Sequence, residues 1–136
     1  PSEVENLRRS IQVLEEAGVF AVLLEAIPPS VSKVLTKTAT SIIFGIGAGK
    51  YTHGQLLILH DLLGLYPNFR PKFAKCFVPE VLMEFNDALV ENEDLAAFGR
   101  DTRKDGLYQI TRLAVEAYIR QVRSGSFPDE LYSYRD

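Results

Sequence analysis

The sequence predicts an α/β fold with a small parallel sheet. Its first half alternates amphipathic helix patterns with short apolar runs, and brief connections join them. Continuous apolar runs are typical of parallel strands that are covered on both faces, and strand–helix–strand units connect such strands by right-handed crossovers. The final third carries only helix patterns. We therefore expect helix, strand, helix, strand, loop and strand, followed by a helical extension.

The composition fits one globular domain and argues against several classes of protein. The 136 residues are 46% hydrophobic and 24% charged, with a net charge of -3. Such a chain can bury a core and has no general attraction for nucleic acid or an anionic membrane. No apolar run is long enough for a membrane span and no signal peptide is recognised, so we expect a cytoplasmic protein. The lone Cys76 is interpreted as a partly buried, small apolar side chain.

The first helix is predicted to begin after Ser2. Ser2 and Glu5 form a capping-box pattern, in which each side chain accepts a hydrogen bond from the backbone N–H of the other residue. Apolar residues recur at spacings of three and four up to Leu14, and Gly18 supplies a C-terminal cap. Because Pro1 directly precedes this pattern without a methionine, we expect the chain to be a piece of something longer.

Three apolar runs are predicted as strands: Val19–Leu24, Ser41–Phe44 and Gln55–His60. A helix over about residues 30–38 separates the first two, and the proline pair before it suits a first helical turn. The final third predicts a helix over about residues 79–91, a polar loop with a short turn over 92–105, and a last helix. That last helix begins near Leu107 and closes at Gly125.

The stretch Gly45–Lys50, G-I-G-A-G-K, has the look of a phosphate-binding loop. A Walker loop would need glycine at Phe44 and Ser or Thr at Tyr51, and the dinucleotide pattern would need glycine at Lys50. Both nucleotide interpretations are therefore rejected. Two others stay open: the glycines let a substrate or a neighbouring loop approach the backbone, or they form a tight turn without a ligand.

Glu25 is the first candidate for a catalytic residue, because it ends an apolar run where α/β folds carry their active sites. A carboxylate there can serve as a general base, pair with Lys or Arg, or point into solvent. His60 and Asp61 also end a predicted strand, where a base, a metal ligand and a hydrogen-bonded pair stay open. His53 is expected to be a solvated loop residue.

Several segments occur together in the order and spacing of one enzyme family. They are Ala17-Gly18, Leu23–Pro28, Gly45–Gly49, Gly54-Gln55, His60-Asp61, Leu63-Gly64, Pro71–Lys75 and Val122–Pro128. Over nearly all of residues 1–77 and 106–134 the chain resembles the C-terminal half of ketopantoate hydroxymethyltransferase (3-methyl-2-oxobutanoate hydroxymethyltransferase). Each motif is weak alone, but their shared order and spacing are specific.

The resemblance implies the fold class and the division of the chain. It implies a (β/α)8 TIM barrel of the phosphoenolpyruvate mutase-like superfamily, assembled into a homo-oligomer. Residues 1–77 would form about strands six to eight of that barrel, 78–105 a helical insertion, and 106–136 the C-terminal helix and tail. The insertion would be a solvated structural helix, cover the barrel bottom, extend an oligomer contact or dock another protein.

The resemblance also implies the chemistry. The family transfers a one-carbon unit from 5,10-methylenetetrahydrofolate to 3-methyl-2-oxobutanoate, giving 2-dehydropantoate for the synthesis of pantothenate and coenzyme A. Mg²⁺ would hold the keto acid and stabilise its enolate. Glu25 occupies the place of the family's general base, which would remove the C3 proton. No residue of the chain is assigned to binding a cofactor.

Two departures from the family pattern carry further expectations. The family's magnesium ligands belong to an N-terminal half, so we expect this chain alone to bind no Mg²⁺ and not to turn over. His53 stands where the family usually has Asp, which puts the hydrogen bonding of that position in question.

Two other functions stay open beside a fragment or split part of the enzyme. One is a non-catalytic interaction or assembly module, and the other is a different carboxylate-chemistry enzyme of the superfamily, such as a lyase on 2-oxo acids.

Overall fold

The structure is a computed structural model that describes residues 2–91 and 106–135. It contains three strands and five helices in these ranges: α1 Glu3–Glu16, β1 Ala21–Glu25, α2 Pro29–Thr38, β2 Ile42–Ile46, β3 Gly54–Gln55, α3 Leu59–Leu63, α4 Val78–Glu91 and α5 Gly106–Ser124. The predicted loop over 92–105 lies outside the described residues. None of the helices in the described ranges is both long and apolar enough to cross a membrane.

The three strands form one parallel sheet in the order β1-β2-β3. Leu24 pairs with Gly45 and Glu25 with Ile46, so the carboxyl ends of β1 and β2 lie level with each other. The predicted α/β class and the parallel arrangement are confirmed. The barrel itself stays a prediction.

The predicted third strand, Gln55–His60, is wrong over most of its length. The strand ends at Gln55, and Ile58 precedes the short helix α3, which contains His60. Leu59, Leu62 and Leu63 follow at helical spacing, and Leu62 is buried against Phe77. A short apolar run has the same composition in a strand and in a buried helix, so periodicity alone cannot separate them.

One face of the sheet is covered by α1 and α2. The core on this side consists of Ile11, Leu24, Leu35, Ile43 and Ala48. The opposite face carries large apolar side chains with high exposed fractions: Leu23 47%, Ile42 48% and Phe44 39%. At the end of β2 the same face is covered, because Ile46 packs with Phe73 and Ala74. Within the described residues, the expectation of strands covered on both faces is therefore wrong for Leu23, Ile42 and Phe44 and holds at Ile46.

A second core joins the C-terminal helices to the rest of the chain. Its buried members are Leu62, Phe77, Val81, Ala114, Ala117 and Phe127. Ala114 and Ala117 lie one turn apart on α5, and their small side chains let Phe77 and Val81 pack closely. The predicted last helix is confirmed, with Gly125 in the left-handed conformation at φ 73° just beyond its end.

The ends of α1 confirm most of the predicted caps. Ser2 Oγ accepts the backbone N–H of Glu5 at 3.3 Å, and Gly18 follows the helix with φ 89°. The Glu5 carboxylate accepts instead from Arg8, at 2.6 Å and 2.9 Å. Glu5 therefore forms an ion pair with Arg8, one turn along the helix, in place of the second hydrogen bond of the predicted capping box.

Candidate functional site

Glu25 is the last residue of β1 and its side chain is exposed. Because side chains alternate along a strand, the burial of Leu24 against the helices places Glu25 on the open face of the sheet. Among the ion pairs of the described residues, none involves Glu25. The paired interpretation therefore has no support in this part of the chain, and the catalytic role stays a prediction.

A left-handed residue ends β1 directly after Glu25. Ala26 has φ 54°, and its N–H donates to the oxygen of Ile46 at 2.9 Å. A left-handed conformation costs a non-glycine residue about 1 kcal/mol, so the ladder bond to β2 helps to hold the turn. The turn leads into Pro28 and α2, and it leaves Glu25 at the carboxyl edge of the sheet.

The glycines after β2 are explained by close approach of neighbouring segments. Gly47 and Gly49 have φ 65° and 70°. A Cβ at Gly47 would lie 2.5 Å from Cδ1 of Phe73, and one at Gly49 would lie 2.8 Å from Cβ of Pro29. Of the two interpretations left open, the structure therefore supports a backbone approached by neighbouring chain rather than an isolated tight turn.

Gln55 and Ser32 hold this glycine loop from two sides. Gln55 Nε2 donates to the oxygen of Gly49 at 3.0 Å and to Oγ1 of Thr52 at 2.8 Å. The buried Ser32 hydroxyl donates to the oxygen of Ala48 at 2.6 Å. Sequence reasoning gave neither side chain this role. The available signal was Gln55 itself, a polar residue at the head of an apolar run directly after a glycine-rich loop.

The C-terminal helix reaches the same place through Tyr118. Its hydroxyl donates to the backbone oxygen of Gln55 at 2.7 Å. Burial raises the pKa of the Tyr118 phenol, which keeps the hydroxyl protonated as a donor. Residues from β3 and α5 thus support one edge of the candidate site.

His53 lies in a loop, as the sequence predicted, whereas His60 does not lie at a strand end. His53 is exposed, but its ring is not merely solvated: Nδ1 accepts the N–H of Ile43 at 2.9 Å, while the His53 N–H donates to the Ile43 oxygen at 2.8 Å. His53 thus bonds to the edge of β2 just before β3 begins, so position 53 has a hydrogen-bonding role. His60 and Asp61 lie in α3 and not at a strand end.

The described residues contain no group of three or more His, Cys, Asp or Glu side chains placed to hold a metal ion. Mg²⁺ prefers oxygen ligands and keeps several waters, so one or two carboxylates can suffice to bind it. The expectation that this chain alone binds no Mg²⁺ therefore stays a prediction.

An open cavity of about 560 Å³ lies beside the glycine loop. Its walls come from the start of α2, the residues after Gly49, Lys72 and the C-terminal tail: Pro29, Lys50, Tyr51, Lys72, Pro128, Asp129, Glu130, Leu131, Ser133, Tyr134 and Arg135. Lys72 Nζ donates to the oxygen of Ser133, which ties the tail down. Sequence reasoning missed this cavity because its walls come from segments far apart in the chain.

The fold and the site define an α/β protein whose candidate functional groups lie at the carboxyl edge of a parallel sheet, where such folds bind ligands. A model of the family described as ketopantoate hydroxymethyltransferase matches residues 1–92. The chain belongs to this family, and the resemblance found in its motifs is confirmed.

Curated relatives agree with this assignment. The chain is 34% identical over 134 residues to the 3-methyl-2-oxobutanoate hydroxymethyltransferase of Clostridium kluyveri, covering 98% of this chain and 38% of the relative. The enzyme of the same name from Aquifex aeolicus is 49% identical over 76 residues, covering 56% of this chain and 29% of the relative. The enzyme of the same name from Alteromonas mediterranea is 35% identical over 134 residues, covering 98% of this chain and 40% of the relative. Where a match extends over nearly the whole chain, the chain spans about two-fifths of the relative's length.

Proposed function

We propose that this chain supplies the general base for hydroxymethyl transfer from 5,10-methylenetetrahydrofolate to 3-methyl-2-oxobutanoate, giving 2-dehydropantoate in pantothenate synthesis in the cytoplasm. Family membership supports the reaction. The observation that carries the residue assignment is the placement of Glu25: exposed, on the open face, at the carboxyl edge, and outside the ion pairs of the described chain.

In this proposal the Glu25 carboxylate accepts the C3 proton of the keto acid, and the electron pair of that C–H bond forms the enolate. Water adds to the methylene carbon of the folate and both C–N bonds to that carbon break, which gives formaldehyde and tetrahydrofolate with its two N–H groups restored. C3 of the enolate then forms a bond to the formaldehyde carbon, and the formaldehyde oxygen takes up the proton held by Glu25 to become the new hydroxyl group. A base positioned in this way contributes about 10²- to 10⁴-fold to the rate. The cation implied by the family resemblance would hold the keto acid and stabilise its enolate.

The open sheet face supports the proposal that the active enzyme needs more than this chain. Leu23, Ile42 and Phe44 lie exposed on that face. The interior of a (β/α)8 barrel is filled by layers of such side chains, contributed by all its strands. We therefore propose that an N-terminal half completes the barrel, that the barrel assembles as a homo-oligomer, and that residues 1–136 alone are inactive.

The test is a chimera that joins the N-terminal part of the Clostridium kluyveri relative to this chain. We expect the chimera to form 2-dehydropantoate from both substrates, and the chain alone to form none. Glu25→Gln should lower kcat of the chimera by about 10²- to 10⁴-fold. Glu16→Gln, an exposed carboxylate at the end of α1, is the matched control and should leave kcat unchanged.

The open apolar face also favours a second candidate function, a non-catalytic assembly module that covers this face with a second copy of the chain. Light scattering and circular dichroism separate the two. If residues 1–136 form a well-folded oligomer and the chimera is inactive, the result supports the assembly module and contradicts the enzyme. Turnover by the chain alone would instead contradict the claim that the barrel must be completed.

A further inference from the structure

The cavity beside the glycine loop lies at the same edge of the sheet as Glu25. Pro29 follows Glu25 by four residues, and Lys50 follows Ile46, the register partner of Glu25, by four. Four residues reach at most about 14 Å, so the nearer walls of the cavity lie within one elongated ligand's length of the Glu25 strand end. The volume of about 560 Å³ is within the range of small-molecule sites.

The walls of this cavity concentrate positive charge. Lys50, Lys72 and Arg135 all line it. The ammonium group of Lys33 adds a fourth cation, 4.8 Å from the centre of the Tyr51 ring that forms part of the wall. Two carboxylates, Asp129 and Glu130, line the same cavity.

The acidic residues of the tail cancel only part of that charge. Asp129 Oδ1 accepts the backbone N–H groups of Leu131 at 2.9 Å and Tyr132 at 3.3 Å, so its charge is engaged by the tail itself. Glu130 is exposed at the cavity. Lys50 and Arg135 are also exposed, and within the described part of the chain neither takes part in an ion pair. These two cations are therefore available to an anionic ligand.

Aromatic packing connects the cavity to the glycine loop. The ring of Tyr134, which lines the cavity, packs on Phe73 with ring centres 6.1 Å apart. Phe73 in turn lies against Gly47. The tail is thus fixed against the loop beside Glu25, and the wall of the cavity is built by packed side chains. Tyr51 and Tyr134 add flat apolar surface to it.

We propose that this cavity binds the glutamate tail of the folate co-substrate, with the carboxylates of the tail paired to Lys50 and Arg135. A folate is elongated: its reactive methylene sits at the pteridine end, and an aminobenzoyl ring separates that end from the glutamate carboxylates. With the carboxylates in the cavity, the pteridine end extends toward Glu25, and the tyrosine rings offer surface to the aminobenzoyl ring. This inference rests on the proposed function.

The test measures binding of tri-γ-glutamate, which has no pterin and does not react, to residues 1–136 and to the chimera by calorimetry. We expect Lys50→Gln and Arg135→Gln each to weaken binding about tenfold, because each removes one charge-assisted contact. Lys37→Gln is the matched control, since Lys37 is an exposed lysine in the last turn of α2, outside the cavity. Thermal unfolding of each variant reports whether the fold is intact.

The design separates this inference from the proposed function. Glu25→Gln should leave tri-γ-glutamate binding unchanged, whatever it does to turnover. Equal affinities of wild type, Lys50→Gln and Arg135→Gln for tri-γ-glutamate would overturn the assignment of the cavity. Inorganic phosphate that binds as tightly, with the same dependence on Lys50, would also overturn it by showing a general anion site. In an active chimera, Lys50→Gln should raise KM for methylenetetrahydrofolate, while Lys37→Gln should not.

Discussion

The side-chain amide of Gln55 donates a hydrogen bond to the backbone oxygen of Gly49, 3.0 Å away. The same nitrogen reaches Oγ1 of Thr52 at 2.8 Å, so one residue of β3 connects both ends of the loop that follows β2. Because Gly49 also lies against Pro29, this amide fixes the loop relative to the turn that presents Glu25. Gln55 is therefore a positioning residue for the candidate site.

Replacing Gln55 by alanine should destabilise the protein. The change removes the donor that satisfies Gly49 and Thr52 in a half-buried place, at an expected cost of about 1–3 kcal/mol in the free energy of unfolding. Urea denaturation measures this cost. Gln12→Ala is the control, since Gln12 is exposed on α1 and bonds only within its own helix, to Glu16. Equal effects of the two substitutions would show that the Gln55 amide does not hold the loop.

Gly47→Ala should be more harmful than Gly125→Ala. Both glycines have positive φ, 65° and 73°, so both substitutions carry a backbone cost of about 1 kcal/mol. Only at Gly47 would the new Cβ meet another group, the Phe73 ring at 2.5 Å, whereas at Gly125 nothing lies within 4 Å. Overpacking adds about 1–3 kcal/mol. Denaturant midpoints measure the difference, and two equal losses would argue against the contact with Phe73.

Glu15 should make stability depend on acid pH. Its Oε1 accepts the N–H of Ser41 at 2.8 Å, the hydroxyl of Ser41 at 2.8 Å and the N–H of Thr40 at 2.7 Å. These bonds, led by those from Ser41, hold the pKa of Glu15 below its ordinary value of 4.5. A depressed pKa contributes stability that is present above the ordinary value and is lost as the pH falls from there through the folded pKa.

The measurement is the thermal midpoint as a function of pH between neutral and strongly acidic solution. Glu15→Gln should flatten the part of the curve below the ordinary carboxyl pKa and lower the midpoint at neutral pH. Glu16→Gln, the neighbouring exposed carboxylate, keeps all three bonds to Glu15 and should follow the wild-type curve. If the thermal midpoint of Glu15→Gln changes with pH in parallel with that of wild type, the Glu15 carboxylate is not a source of the pH dependence.

Helices α1, α2, α4 and α5 and the first two strands could be predicted because local chemistry decides them. Proline at the start of α2 and Gly18 and Gly125 beyond helix ends have steric preferences that hold in any fold. β1 and β2 were recognised from continuous apolar runs. The run after Gln55 was assigned wrongly because a strand and a buried helix can share that composition, and only the packing of Leu62 on Phe77 decides between them.

The candidate site was predictable only in part. Glu25 stands out in the sequence because a charge directly ends an apolar run, and the structure places it at the sheet edge. The contacts of Gly47 with Phe73 and of Gln55 with Gly49 depend on how segments meet in space, so no local pattern could reveal them. The cationic cavity is a further example, since it combines Lys50 with a tail more than 75 residues later in the chain.

The most direct test of the account is the exchange of the C3 proton of 3-methyl-2-oxobutanoate in D₂O, followed by NMR with the chimera and without folate. This exchange needs no folate, so it reports on removal of the C3 proton alone. We expect exchange above the spontaneous rate in the chimera, and a loss of about 10²- to 10⁴-fold in Glu25→Gln while Glu16→Gln is unaffected. Exchange at the wild-type rate in Glu25→Gln would contradict the assignment of Glu25 as the general base.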